Sequence, residues 1–414
     1  MSGRVILHCD CNCFYASVEQ AYHPELAAVP MAVCGDPESR HGIILAKNEL
    51  AKRAGVRTAE TIFQARKKCP DLVLCPPRHS EYPLWSRRVN DIYRRYTEQV
   101  ESFGLDESWL DVTGSRTLFG DGKTIADRLR REVREETGLT ISVGVSFTKA
   151  LAKLGSDYKK PDATTVITRE DLSFLVWPKP AGELLYVGPA CQAVLRSLGI
   201  FTIGQIALAD RGVLARHLGK LGEQIWDYAN GLDDSPVASV YDVRPVKSVG
   251  SGMTFRRDLL GLADVRTGLG ALCGEVAFRL RKHDLLCRGV QLTIKDPGFH
   301  VITRQKGLPA PTCLSRELEE AALALFQSNW DLSRPVRMLT VTAQQLIPPG
   351  ESAEQLDLFE PQRPQQRDRQ ERLERALDAI RGKYGPGAIS SAGLLQNDLG
   401  ISPVGEKLPP PEGK

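Results

Sequence analysis

The feature that most constrains this chain is a change of hydrophobic period at an acidic residue near its amino terminus. Residues 4–9 (RVILHC) read as a short buried strand, and FYASVEQAY, from Phe14, switches to helical spacing. Asp10 stands at the end of that strand, where a carboxylate is costly unless paired, hydrated or bound to a cation. A second acidic pair, Asp106 and Glu107, falls at the tip of a hairpin expected over Val100–Val112, with Phe103, Leu105, Trp109 and Leu110 as apolar flanks. Consecutive residues inside a strand point to opposite faces; at a turn the rule relaxes, so both carboxylates can face one site. Three converging carboxylates take up protons unless a divalent cation compensates them, and hard oxygen ligands suit Mg²⁺. Spacing alone leaves the plainer alternative open, in which Asp10 caps a helix and Asp106 and Glu107 are solvated turn acids.

Further along, strand and helix patterns alternate. Gly42–Ala46 is strand-like, Asn48–Arg53 and Thr61–Cys69 are short helices, and Leu72–Leu74 is a strand before Pro76-Pro77. Helices are expected over Tyr82–Tyr96, Ile125–Thr137 and Lys149–Asp157, with a strand at Leu139–Val145. Such mixing, partly antiparallel, points to an α+β core. From 170 to 232 the chain breaks into short helical pieces punctuated by Pro and Gly, and 237–247 has linker character. Strand and helix patterns return over 248–348, with GVQLTIKD and RMLTVTAQQL flanking a helix at Cys313–Phe326. Beyond Pro348-Pro349-Gly350 the composition turns polar, with one amphipathic helix near 368–382 and a terminus, EKLPPPEGK, of disordered type.

Composition excludes several classes. With 414 residues, 42% apolar and 25% charged, the chain is not a disordered one. At roughly 100–200 residues per domain it makes two to four domains. No apolar run approaches the roughly 18–20 residues of a membrane span, and Met1–Asp10 lacks a signal-peptide core, so a soluble cytoplasmic protein is expected. Ten cysteines without a secretory signal read as reduced thiols. Cys9, Cys11 and Cys13 would share a strand face, but with no later C-x-x-C or Cys/His pattern they read as small hydrophobes rather than ligands. The net charge of +3 is uninformative until divided: residues 244–306 carry 12 Lys+Arg against five Asp+Glu, an excess of +7, and the remainder sums to −4. A basic stretch of that kind suits a phosphate backbone.

Several blocks in register now carry a resemblance. DCNCFYASVE at 10–19, FGLDESWLD at 103–111, GLTISVGVS and TKALAK within 138–153, and SDYKKP at 156–161 resemble the signature blocks of the Y-family DNA polymerases, most closely the DNA polymerase IV (DinB-type) branch. The resemblance covers about residues 4–359. It implies a multi-domain right-hand polymerase with palm (1–15 and 79–168), fingers (16–78), thumb (169–236), linker (237–247), an additional α/β little finger (248–348) and a tail (349–414).

The resemblance also implies roles. Asp10, Asp106, Glu107 and the backbone carbonyl of Cys11 would hold two Mg²⁺ ions, or Mn²⁺ in their place. The backbone N–H groups of Cys13 and Phe14 would receive phosphate oxygens, Tyr15 would exclude a 2′-hydroxyl as steric gate, and Lys160 would neutralise triphosphate charge. Two positions depart from the family's fingers block, which usually carries a Tyr and an Arg three residues apart. Here they are Glu49 and Lys52; Lys52 keeps the cation without the bidentate fork, and Glu49 would repel a polyanion unless it pairs with Lys47, Lys52 or Arg53. Thr148 likewise replaces a common Asn. In the thumb, Gly188 would let backbone amides approach DNA, although Ala190 stands for the usual second glycine. SVGSGMTFRRDL resembles the start of the little finger, with Arg256 and Arg257 as phosphate contacts. Gln355-Leu356-Asp357-Leu358-Phe359 resembles the peptide that bacterial replication proteins insert into the sliding clamp, with Gln355, Leu356, Leu358 and Phe359 in the groove.

The expected partners are therefore primer-template DNA, dNTPs and a bacterial sliding clamp, for a monomeric, nucleoid-associated enzyme without membrane contact. Low fidelity and tolerance of damaged templates come with the family relation. Two other classes compete: a palm-fold nucleotidyl cyclase, which needs neither a basic little finger nor QLDLF, and a non-catalytic clamp- and DNA-binding accessory, which the intact acidic set argues against.

Overall fold

A computed structural model describes residues 3–35, 42–242, 245–351, 363–390, 394 and 398–401. The chain divides into two compact units, residues 1–243 and 244–414.

Strands in the first unit are β1 (Ile6–Cys11), β2 (Met31–Cys34), β3 (Ile44–Lys47), β4 (Val73–Cys75), β5 (Val100–Ser102), β6 (Glu107–Asp111), β7 (Ile141–Ser146) and β8 (Thr164–Val166). They form a five-stranded sheet, β5-β6-β1-β7-β8, and a three-stranded sheet, β3-β2-β4. β1 lies at the centre of the larger sheet, antiparallel to both neighbours, and all six of its residues are buried. Alternation divides its side chains between two faces. Leu7, Cys9 and Cys11 enter a core shared with the helices Tyr82–Tyr93 and Gly122–Thr137, so two of the three clustered cysteines are packing residues. None of the ten cysteines is in a disulfide. Ile6, His8 and Asp10 occupy the opposite face, under the helix Lys149–Tyr158. That helix lies close because β7 offers Gly144: a Cβ there would sit 1.8 Å from the Ala152 carbonyl oxygen. Thr148 caps it, its hydroxyl accepting from the Leu151 amide, a task Thr and Asn share.

The helix expected to Tyr96 stops at Tyr93, because Tyr96 turns inward to pack on Phe119 and donate to Glu132. Four short helices, Pro189–Ser197, Ile203–Leu208, Arg211–Leu218 and Lys220–Ala229, build a separate core with Leu151 and Leu154. The linker-like stretch begins docked: Val237 is buried against Ile6 and Trp109, and the Ala238 and Val240 amides donate to Glu101 and to the Glu98 carbonyl.

The second unit holds β9 (Ser248–Leu259), β10 (Leu286–Lys295), β11 (Val301–Thr312) and β12 (Val336–Ile347), in the order β11-β10-β12-β9. The helices Gly261–Lys282 and Ser315–Asn329 cover one face, burying Val290, Leu292, Ile294, Leu339, Val341 and Ala343. The other face carries partly exposed Gln291, Thr293, Thr340, Thr342 and Gln344. β11 and the helix Gly261–Lys282 have no counterpart in the sequence reading; β11 is exposed over much of its length, with Ile302 and Leu308 partly buried against the core.

The helix expected at 368–382 spans Arg363–Tyr384 and docks on this unit through ions rather than apolar area. Arg281, 7% exposed, lies between Glu374 and Asp378 and also donates to the Cys313 carbonyl. Glu374 accepts in addition from the amide and hydroxyl of Ser315. Glu374→Ala leaves Arg281 with Asp378 alone and takes the acceptor from the Ser315 amide, so it should destabilise this unit by about 1–3 kcal/mol. Loss of amide hydrogen-exchange protection in β10 would report it; unchanged protection would show that the ion cluster contributes nothing.

Candidate active site

The β1–β6 register sets Asp10 directly opposite Glu107. Residues so paired share a face with Cβ atoms about 5 Å apart, and like charges there repel. Asp106 precedes the first residue of β6, and its carbonyl accepts from the Cys11 amide at 2.9 Å. The turn thus lets adjacent acids serve one site: Asp10, Asp106 and Glu107 all line a cleft of about 510 Å³, joined by Cys11, Cys13, Phe14, Tyr15, Lys52 and Lys160. Asp10 caps no helix; Cys13 occupies the N-cap of Phe14–Tyr22 in a left-handed conformation (φ 52°), and no side chain caps that terminus.

Lysines compensate the carboxylates. Lys160 lies 2.7 Å from both Asp10 and Asp157, and Lys153 lies 2.9 Å from Glu107. Burial nevertheless pushes Asp10 up to about 7, with Glu107 adding to the rise and Lys160 opposing it. Burial also raises Asp106, again reinforced by Glu107. Burial acts on Glu107 in the same sense, but His8 and Lys153 outweigh it and hold this carboxyl low. His8 and Lys153 were not among the sequence candidates. His8 lies two residues from Asp10 on the same strand face, a period-two signal that could have marked it. Its Nδ1 meets Ser156 Oγ at 2.8 Å, its Nε2 lies 3.5 Å from Glu107, and burial lowers its pKa. Among the described residues no three His, Cys, Asp or Glu side chains are already closed around a metal-sized point.

Tyr15 stacks on Tyr82 with ring centroids 3.9 Å apart and planes within 9°. Tyr82 is fully buried and donates to Glu19, which Arg78 also grips. Phe14 is core, 4% exposed. On the other wall, Glu49 pairs with Lys52 at 3.2 Å instead of confronting the cleft unpaired.

The remaining candidates lie elsewhere. Gly188 precedes the helix Pro189–Ser197 with ordinary backbone (φ −75°), exposed and with open space where a Cβ would be. Arg256 and Arg257 separate by strand alternation: Phe255 is buried, Arg256 is exposed, and Arg257 turns to Asp264 and Asp398. The basic excess of 244–306 is thus partly internal, because Arg257 and the buried Arg281 are neutralised by Asp398, Glu374 and Asp378 from the carboxyl-terminal segment. The QLDLF peptide lies outside the described residues. No described helix is long and apolar enough to cross a membrane.

Comparison with known proteins identifies the fold and the family. A solved Y-family DNA polymerase chimera superposes with a TM-score of 0.74 at 21% identity, covering 83% of this chain and 99% of its own, which establishes the right-hand polymerase fold with a little finger. The impB/mucB/samB family matches residues 9–157, and its C-terminal domain matches 246–358. DNA polymerase IV of Acetivibrio thermocellus is 45% identical over 401 residues, 97% of this chain and all of that protein. DNA polymerase IV of Moorella thermoacetica is 40% identical, over 94% of this chain and 95% of the relative. The chain belongs to the impB/mucB/samB family of Y-family DNA polymerases, in its DNA polymerase IV branch. It is a DNA-directed DNA polymerase.

Proposed function

We propose that the cleft performs error-prone translesion synthesis, adding dNTPs to a primer 3′-hydroxyl. The observation that carries this reading is the Asp10–Glu107 register with Asp106 at its mouth, three carboxylates on one cleft. The donor set fits divalent cations. Burial and Glu107 raise the Asp10 carboxyl although the Lys160 ammonium opposes them, and additional positive charge would lower it. Asp10, Asp106, Glu107 and the Cys11 carbonyl would hold two Mg²⁺ ions, or Mn²⁺. Bound there, the ions supply activation of the 3′-hydroxyl and charge neutralisation on the departing pyrophosphate.

The chain's own residues do the rest. The uncapped turn at Cys13 and Phe14 presents backbone N–H groups to phosphate oxygens, and Lys52 and Lys160 attract them. Lys160 would exchange Asp10 for phosphate. Tyr15, braced by Tyr82, stands beneath the sugar. Segments 1–15 and 79–168 would act as palm, 16–78 as fingers, 169–236 as thumb, 237–247 as linker and 248–348 as little finger. In the little finger, Arg256 and the polar face of Gln291, Thr293, Thr340 and Thr342 suit sequence-independent contacts to a DNA backbone. Arg257 could reach phosphate only by leaving Asp264 and Asp398, and Gly188 would add a backbone contact from the thumb.

Template-directed extension by the wild-type chain with Mg²⁺ and dNTPs tests the reading. Absence of extension would leave the accessory reading, and cyclic nucleotide formation the cyclase. Gln355, Leu356, Leu358 and Phe359 would dock the enzyme on a bacterial sliding clamp, raising its local concentration at the primer end. Replacing Leu358 and Phe359 with Ala should abolish clamp stimulation, a gain of order 10²-fold or more by effective concentration, and spare clamp-independent extension. Surviving stimulation would refute the assignment.

A further inference from the structure

The three lysines of the cleft are differently engaged. Lys160 is tied to Asp10 and Asp157, and Lys47 donates to Thr58 at 3.0 Å. Lys52, half exposed, is held by Glu49. The two belong to one short helix, Glu49–Arg53, and residues three apart share a helix face. Asn48 fixes the start of that helix: its Oδ1 accepts from the Ala51 and Met31 amides, and its Nδ2 donates to the Val29 carbonyl at 2.8 Å. Glu49 also accepts from the Cys13 thiol at 3.5 Å. The carboxylate therefore spans two walls of the cleft, from the helix that bears Lys52 to the residue that opens the phosphate-facing turn.

We infer that Glu49 is a positioning residue that retains the Lys52 ammonium and thereby sets the affinity of the cleft for the triphosphate of the incoming nucleotide. This rests on the reading of the cleft as the nucleotide site. Glu49 takes up one of the three N–H donors of Lys52 and neutralises part of its charge, so phosphate oxygens compete with Glu49 for the ammonium. Two effects oppose each other: Glu49 pre-places the ammonium over the cleft, and it competes for it. With Lys52 half exposed, pre-placement removes little of its freedom, so competition prevails. All four dNTPs carry the same triphosphate, so the effect is common to the four bases. Contacts equally strong in the bound state and the transition state appear in KM and leave kcat alone.

The test uses the full-length enzyme on primer-template. A dideoxy-terminated primer gives equilibrium dNTP affinity, and steady-state extension gives KM and kcat. Glu49→Gln keeps the length of the side chain and an acceptor for Cys13. It should lower Kd and KM for each complementary dNTP by about twofold to fivefold, the scale of a partly exposed ion pair, with kcat unchanged. Lys52→Ala should raise Kd by at least as much. In the Lys52→Ala background no ammonium is left to release and only direct repulsion between Glu49 and the triphosphate remains to be relieved, so Glu49→Gln should lower Kd there by less than in the wild-type background. The inference is overturned if Glu49→Gln leaves Kd unchanged, if it moves kcat instead, or if its full effect persists without Lys52. Asp106→Ala on the same substrate tests the site reading separately: an inactive Asp106→Ala beside an unresponsive Glu49→Gln would remove only this inference.

Discussion

Asp106→Ala should reduce nucleotide incorporation by about a thousandfold or more while leaving the fold intact. The two halves of that expectation have separate causes. Asp106 lines the cleft with a carboxyl that burial and Glu107 already push upward, so its charge is held at a cost. Removing it relieves repulsion and creates no large cavity, and stability should change by no more than about 0.5 kcal/mol. If the cleft works as proposed, its loss deletes an anionic oxygen donor where transferring phosphoryl charge must be compensated. Glu107→Ala would be a poorer probe, because Lys153 and His8 would each lose one of their two partners. Primer extension beside a thermal melt separates the effects. Incorporation equal to wild type would refute the assignment of Asp106, and an inactive but unfolded variant would contradict the stability argument.

Tyr15→Ala should admit ribonucleotides. A 2′-hydroxyl pressed against a braced ring meets atoms that cannot yield, and forcing excess volume into a packed site costs about 1–3 kcal/mol, or roughly 5- to 150-fold. The ring is braced because it lies parallel on Tyr82, whose hydroxyl donates to Glu19 while Arg78 grips the same carboxylate. Selectivity for dNTP over NTP should therefore fall by about that factor, with deoxynucleotide use largely retained. Tyr15→Phe keeps the ring and should keep the selectivity. Competitive incorporation of matched dNTP and NTP measures both, and an unchanged ratio in Tyr15→Ala would eliminate the steric role.

Much of the scaffold around these residues was legible from local pattern. The strand-to-helix switch at Asp10 appears as β1 followed by Phe14–Tyr22, and the strand expected at Leu139–Val145 appears as β7. Both are regular elements whose period is written in consecutive residues. β11 was missed because its two core-facing apolar residues, Ile302 and Leu308, are separated by the polar run at 303–306 and leave no regular alternation to read. The local basic excess marks Arg256 and Arg257 alike as phosphate contacts; strand geometry separates them, leaving one exposed and one bound to Asp264 and Asp398.

The sequence by itself determined the acidic set, the periods of the elements and, through several blocks in register, the polymerase resemblance. Only the tertiary structure decided which charges are compensated and by what. Asp10 meets Glu107 across a strand pair separated by 97 positions, Lys160 arrives from 150 residues away, and Arg281 finds Glu374 at a separation of 93. Local period reports which face a residue occupies. Partnership across such distances is set by sheet register and helix docking, and these follow from packing of the whole core.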